Sequence, residues 1–286
     1  MDILVKVFLP LVLAFIMFSL GLGLTLGDFV RVLKRPKAFG IGAFNQVLLL
    51  PVVTFAVVIG FGISAEMAVG FMILSACPGG VTSNVISKLA KADVALSVSL
   101  TAVISLLSAI TVPLLIGWST GYFLGSEAPP INVSSIAFKM FILTIVPIAL
   151  GITVRHFLPA ITGKIEPMIS GIATILFGIV VVAALASNWS LFTKNVAIMG
   201  PALIVLIVAL LFLGMTIARL SGLTLHEAKT ISIETGIQNS TLGITAASLL
   251  IAGSTGLNAY ALPAAVYGIL MYLITLPVVV WYRSLK

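Results

Sequence analysis

Long apolar runs separated by short polar stretches dominate the chain. Nine of them, with approximate limits 3–26, 37–60, 66–87, 93–118, 134–157, 165–187, 196–219, 227–252 and 261–282, are long enough to span a bilayer, which takes about 20 helical residues. The pattern predicts an all-α, polytopic membrane protein of about nine transmembrane helices. The first run carries Lys6 beside apolar residues, as a secretory signal does, but it lacks a small-residue cleavage site and reads as a retained span. The longest expected loop is about fifteen residues, Ser119 to Val133, and residues 1–286 form a single transporter-sized membrane domain.

Composition excludes the soluble alternatives. The chain is 60% apolar and 8% charged, with a mean hydropathy of +1.28, too little polar surface for a water-facing domain of this length. Charge placement sets an expected orientation. Twelve of the fifteen basic residues (Arg31, Lys34, Arg35, Lys37, Lys88, Lys91, Arg155, Lys164, Arg219, Lys229, Arg283, Lys286) fall on one side of the nine runs. By the positive-inside rule that side is cytoplasmic, with the N-terminus outside, in an inner (plasma) membrane. The net charge of +7 then faces an anionic leaflet and gives no reason to expect nucleic acid as a partner. Cys77 is alone, so no internal disulfide or thiolate cluster is available, and it reads as a small buried residue.

Glu234 is the exception in this pattern. It is the one acid placed centrally in an apolar stretch; Asp2, Asp28, Glu66, Asp93, Glu127, Glu166 and Glu227 fall at run ends or in loops. A carboxylate at membrane depth costs at least ~2.5 kcal/mol and marks ion or proton pathways. No Lys or Arg occupies a comparable position, so a bound cation is the simplest partner.

Two runs carry helix breakers. The third contains Cys77–Val85 (CPGGVTSNV), where Pro78 removes a helix hydrogen bond and two glycines weaken the helix further. The eighth contains Glu234–Ser240 (ETGIQNS). If the chain is a pair of five-span repeats whose first half lacks its opening span, the repeats cover about 1–125 and 134–286 and each break is the fourth element of its half. That predicts an inverted repeat with two discontinuous helices crossing, as in many secondary transporters. At such a crossing, carbonyls at helix C-terminal ends favour a cation and N–H groups at N-terminal ends favour an anion.

Oxygen ligands cluster around these breaks. Ser97, Thr101, Ser105 and Ser108 are spaced by four, four and three, one stripe of a helix. Glu234, Gln238, Thr241 and Thr245 form another, and Asn45-Gln46 lie in mid-run two. Helix–helix packing explains Ser105 and Ser108 equally well. Hard oxygen donors with a single charge suit a monovalent cation such as sodium; a proton on Glu234 is the alternative. His156 and His226 are far apart and near run ends, and no nucleophile elbow, metalloprotease or phosphate-binding motif occurs. An intramembrane enzyme would need a second titratable group beside Glu234, and none offers itself, so the chain does not read as an enzyme. Asn132-Val-Ser and Asn239-Ser-Thr match the glycosylation sequon by coincidence.

CPGGVTSNV at 77–85, KADVALS at 91–97 and IETGIQNS at 233–240 together closely resemble the bile acid:sodium symporter family, in its bacterial branch, over essentially the whole chain. The resemblance implies a core domain holding the crossed helices, a smaller panel domain, and sodium-driven alternating access. By its motif, one sodium ion is held by Ser83, Asn84, Ser97, Thr101 and Glu234. A second is held by Gln46, Glu234 and Gln238 with the carbonyls of Thr235 and Ile237. Substrate, a small organic anion, would touch Asn239 and the backbone of Pro78, Gly79, Gly80, Val81 and Thr82. The chain departs from the family pattern at Val81, where bacterial relatives often carry a hydroxyl, and at Tyr267–Tyr272, where they carry a Trp-His-Asn run. The family's cargo includes bile acids and smaller pantoate-like or keto acids. Besides the bilayer, no obligate protein partner is implied. Related carriers of arsenite or auxin type share the broken-helix plan.

Overall fold

The computed structural model describes residues 7–250 and 258–285. Asp2, Lys6, the start of the first expected span, the end of the eighth beyond Leu250, and Lys286 lie outside the described residues. No strand occurs among those described.

Six helices there are long and apolar enough to cross a membrane: α3 (Pro36–Gly60), α6 (Val94–Leu124), α7 (Val133–Phe157), α8 (Pro159–Ser187), α9 (Trp189–Leu220) and α12 (Leu262–Ser284). They account for six of the nine expected runs. The first run is α1 (Leu9–Gly23), followed after a 66° bend by α2 (Leu26–Lys34). The third run is two short helices, α4 (Ala65–Ser75) and α5 (Val81–Leu89), and the eighth is α10 (Leu225–Gly236) and α11 (Ser240–Ser248). Both expected interruptions are therefore present as gaps between helices.

Several limits differ from the sequence reading, each for a local reason. The loop expected from Ser119 is helical as far as Leu124, with a 3₁₀ turn over Gly125–Glu127. Its polar residues satisfy themselves within the helix: Ser119 and Thr120 donate to the Ile116 carbonyl at 3.3 and 2.7 Å. Helix α8 starts at Pro159, six residues early, because proline is pre-organised for the first turn; this puts Glu166 inside a helix. The basic stretch after run one is no loop either. Thr25 and Asp28 form a capping box that starts α2, and its apolar residues Leu26, Val30 and Leu33, spaced by four and three, are all more than half exposed.

Two helices contain a π turn, at Asn45–Leu49 in α3 and Phe141–Ile145 in α7. Each ends two residues before a proline, Pro51 and Pro147, whose missing N–H loosens the preceding ladder.

Helix α1 packs on α7 and α8, α9 on α10, and α4 on α6. The α1–α7 approach is backbone to backbone: a Cβ on Gly151 would stand 2.6 Å from the Leu22 nitrogen. Polarity is reversed relative to a soluble protein. Val52, Leu114, Ile175, Val182, Phe212 and Leu273 are each at least 60% exposed, whereas Asn45, Gln46, Ser97, Thr101 and Glu234 are buried. At one end, Arg35 pairs with Asp93 and lies 4.0 Å from Glu227, joining the segments after the first, third and seventh runs. At the far end of α6, Phe55, Trp118, Tyr122 and Phe123 form an aromatic cluster of the kind found at membrane interfaces.

Candidate functional site

The two helix gaps touch. The Asn239 N–H donates to the Pro78 carbonyl at 2.7 Å, so one break supplies a partner that the other lacks. Gly79 lets them close: a Cβ there would stand 2.6 Å from Glu234 Oε2 and 2.9 Å from Ser83 Oγ. Each break also has a device holding its shape. The Asn239 side chain accepts from the Leu242 N–H at 3.0 Å and caps α11, and Tyr267 donates its hydroxyl to the last carbonyl of α10, Gly236, at 2.9 Å.

Glu234 is fully buried, and four expected residues gather around it. Ser97 Oγ lies 2.5 Å from Glu234 Oε1, and Thr101 Oγ1 lies 2.9 Å from Oε2. Asn84 Oδ1 is 2.8 Å from Ser97 Oγ and 3.5 Å from Thr101 Oγ1; Ser83 Oγ is 3.4 Å from Thr101 Oγ1. Ser83, Ser97 and Thr101 each have one hydroxyl proton to donate. Ser83 uses its own on the Gly80 carbonyl at 2.7 Å, and the other two point to the Glu234 carboxylate. Asn84 Oδ1 accepts from Ser97 Oγ at 2.8 Å, so the Ser97 hydroxyl is shared between Asn84 and the Glu234 carboxylate. The buried Glu234 carboxylate has no Lys or Arg within 4.0 Å among the described residues, so a bound cation or a proton is the partner that would offset its charge.

The second expected group lies on the other side of the same carboxylate. Gln46, on the π turn, has its Nε2 3.5 Å from Glu234 Oε2, while its Oε1 is buried without a partner. Gln238 donates from Nε2 to the Thr235 carbonyl at 2.9 Å, and its Oε1 is likewise unpartnered. Ile237 stands in the extended gap after α10. Buried acceptors left unpaired cost about 1–3 kcal/mol each. Two unpartnered amide oxygens, Gln46 beside the Glu234 carboxylate and Gln238 on the Glu234 and Thr235 carbonyls, are hard donors of the kind a monovalent cation takes.

The expected substrate residues divide. Gly80, Val81, Thr82 and Asn239 line a cleft between the crossing, α1, α8 and α12. Pro78 and Gly79 stay behind it, in the contact between the breaks. Both short helices turn their N-terminal ends to this cleft, through Gly80–Thr82 and Asn239–Thr241. The Glu234 oxygens lie on its far side. Gln238, one of the expected cation donors, also lines this cleft beside the helix ends.

A family model described as the Sodium Bile acid symporter family matches residues 10–195. The chain belongs to that family. Relatives include an uncharacterized sodium-dependent transporter, YocS, of Bacillus subtilis, 30% identical over 92% of this chain and 78% of its own length. The human ileal sodium/bile acid cotransporter is 29% identical over 87% of this chain and 71% of its own. A probable chloroplastic sodium/metabolite cotransporter of rice, BASS2, is 32% identical over 81% of this chain, which spans about half (54%) of that protein. The chain is accordingly a member of a family of sodium-dependent membrane transporters.

Other residues of this symporter-family chain take places the sequence did not reveal. The far wall of the cleft comes from Ser170, Thr174 and Phe177 of α8, spaced by four and three, and from Ile16, Met17 and Leu20 of α1. The α8 spacing is a readable signal; the α1 residues are indistinguishable from any lipid-facing stretch. Tyr272 lines the cleft and packs edge-on to Phe177 at 6.2 Å. Ser232 hydrogen-bonds Tyr282 and the Leu211 carbonyl, both at 2.6 Å, tying α10 to α9 and α12. Ser108 donates to the Ser105 carbonyl at 2.7 Å and Thr245 to that of Thr241 at 2.8 Å, so these act within their helices. Cys77 is buried and donates to the Ile73 carbonyl at 3.3 Å. Both sequon asparagines are helix caps, Asn132 accepting from the Ser135 N–H at 2.8 Å. No group of three or more His, Cys, Asp or Glu able to hold a metal occurs among the described residues.

Proposed function

We propose that the chain is a sodium symporter of a small organic monoanion, working by alternating access. Sodium ions bind on the Glu234 side of the crossing. Ser83, Asn84, Ser97, Thr101 and Glu234 hold one; Gln46, Gln238, Glu234 and the Thr235 and Ile237 carbonyls hold the other. The observation that carries this reading is the fully buried Glu234 carboxylate, which has the Ser97 and Thr101 hydroxyls on it and no Lys or Arg within 4.0 Å among the described residues. The unpartnered Gln46 and Gln238 oxygens support the second ion. Two ions against one carboxylate leave a local positive charge, which the helix N-termini facing the cleft reinforce for an anion. Helices α4–α6 and α10–α11 form the moving core in this proposal, and α1 and α8 belong to the panel against which it slides. The inverted repeat supplies the two-fold exchange of outward and inward states.

The test is uptake of pantoate, short keto acids and taurocholate into proteoliposomes, with and without an inward sodium gradient. Uptake driven by sodium in wild type and lost in Glu234→Ala and Gln46→Ala is the expected result. Equal uptake in potassium sinks the reading.

The same buried carboxylate admits a second reading, in which a proton on Glu234 takes the place of the cation. Acid-driven uptake at constant sodium would select it. For sodium coupling the sign is opposite: acidification raises the sodium concentration needed for half-maximal uptake, because proton and metal compete for one carboxylate.

A further inference from the structure

A second cleft adjoins the first and differs from it in size and charge. The cleft at the crossing holds only ≈ 40 Å³, room for a few waters. Its neighbour holds ≈ 340 Å³, within the range of small-molecule sites. They share Leu20, Val81 and Ser170, so they are two reaches of one path. The wide reach also includes Asn84, the cation-site residue whose side chain is only half-buried.

Three charged groups line the wide reach: Lys88, Arg155 and Glu166. Lys88 is in the last turn of α5 and Arg155 in the last turn of α7, so the two cations arrive from helices that are not sequence neighbours. No carboxylate lies within 4.0 Å of either among the described residues. Arg155 gives Nη1 to the Leu22 carbonyl at 3.2 Å, which leaves most of its five donors free. Two cations against one acid leave a surplus of one positive charge, the complement of a monoanion.

We propose that Lys88 and Arg155 form a second carboxylate site, where the organic anion rests between the crossing and the basic face of the protein. The proposal rests on the transport reading above for its substrate class. Guanidinium and ammonium bind the carboxylate by charge-assisted hydrogen bonds, and the apolar Leu20, Val81 and Val85 beside them receive a short alkyl chain. Asn84 opens the cation group to the same space, so ion and anion leave by one vestibule.

The charge of the cleft can be read without knowing the substrate. In a Cys77→Ala background, Ser170→Cys places a single thiol where the two reaches meet. Its labelling rates by an anionic sulfonate and a cationic trimethylammonium methanethiosulfonate are compared. The anionic reagent is expected to react faster, and the ratio to fall about tenfold in Lys88→Gln and in Arg155→Gln, the lower end of electrostatic focusing in a cleft. Arg155→Lys should keep the ratio, which separates charge from folding. A branched keto acid, 2-oxoisovalerate, should slow the anionic reagent while its methyl ester does not. An unchanged ratio in the glutamine variants, protection by the ester equal to that by the acid, or a thiol inert to both reagents overturns the site. Sodium-driven uptake is scored separately. Its loss with charge-dependent labelling intact removes the symport reading alone; the reverse removes only this site.

Discussion

Glu234 shows how one residue type can be informative in an apolar background. Against hydrocarbon, every amide, hydroxyl and carboxylate has to be explained, so Gln46, Asn84, Ser97, Thr101 and Gln238 were all legible before any coordinates. What distance adds is their convergence, Ser97 and Thr101 both reaching the Glu234 carboxylate, which composition cannot express. Tyr267 was not legible in this sense, because a tyrosine in an apolar run looks like any aromatic and its partner, Gly236, is 31 residues away. Gly79 makes the sharpest prediction at this scale. A Cβ there meets Glu234 Oε2 at 2.6 Å and Ser83 Oγ at 2.9 Å, so Gly79→Ala must push the carboxylate away from its donors. Sodium-dependent thermal stabilisation, worth about 2.7 kcal/mol at 100-fold excess over Kd, should vanish in Gly79→Ala. The neighbouring Gly80→Ala, whose Cβ meets nothing nearer than Thr82 Oγ1 at 3.8 Å, should retain most of it. Equal behaviour of the two variants would show that the close approach at Gly79 has no bearing on the site.

The helices divide into those whose period and punctuation agree and those where they conflict. Pro78-Gly79-Gly80 breaks its run as its chemistry demands, and Gly236-Ile-Gln-Asn does the same with weaker signals. The ends of α6 and α8 were misplaced because hydroxyls and proline can serve a membrane helix from within, as Thr120 and Pro159 do. The π turn that aims Asn45 and Gln46 inward had only Pro51 to announce it. Elements held open at membrane depth need fixed partners for their free backbone groups, and Tyr267 is such a partner for α10. Tyr267→Phe leaves the buried Gly236 carbonyl unpaired, a loss of about 1–3 kcal/mol. A thermal midpoint lower by several degrees, with weaker sodium stabilisation, is expected by fluorescence-detected unfolding. Tyr282→Phe should cost less, because Ser232 keeps its bond to the Leu211 carbonyl. If the two substitutions rank the other way, α10 is held by its middle and not by its broken end.

At the scale of the molecule, the hydrophobic surface says that a bilayer surrounds the helices, while the basic end was readable from charge alone and reappears as the Arg35–Asp93–Glu227 contact. Which faces slide was not readable, since the α1 and α8 walls carry few polar residues and could equally have faced lipid. In the proposed mechanism the path runs along the seam between those helices and the crossing, where Val81 and Ser170 line both clefts. The proposed alternating access requires that seam to open and close, whereas the proposed cation donors lie on α3, α5, α6, α10 and the gap that follows α10. Locking the seam should therefore arrest transport without disturbing the ions. With Cys77 replaced by alanine, Val81→Cys and Ser170→Cys joined by a short bifunctional maleimide should lose uptake completely and regain none on reduction. The corresponding disulfide-containing linker should restore uptake when cleaved. Sodium should still raise the melting temperature of the locked protein by about the wild-type amount. Continued uptake in the cross-linked state would mean that the anion crosses elsewhere, and loss of the sodium response would mean that α1 and α8 help to build the ion site.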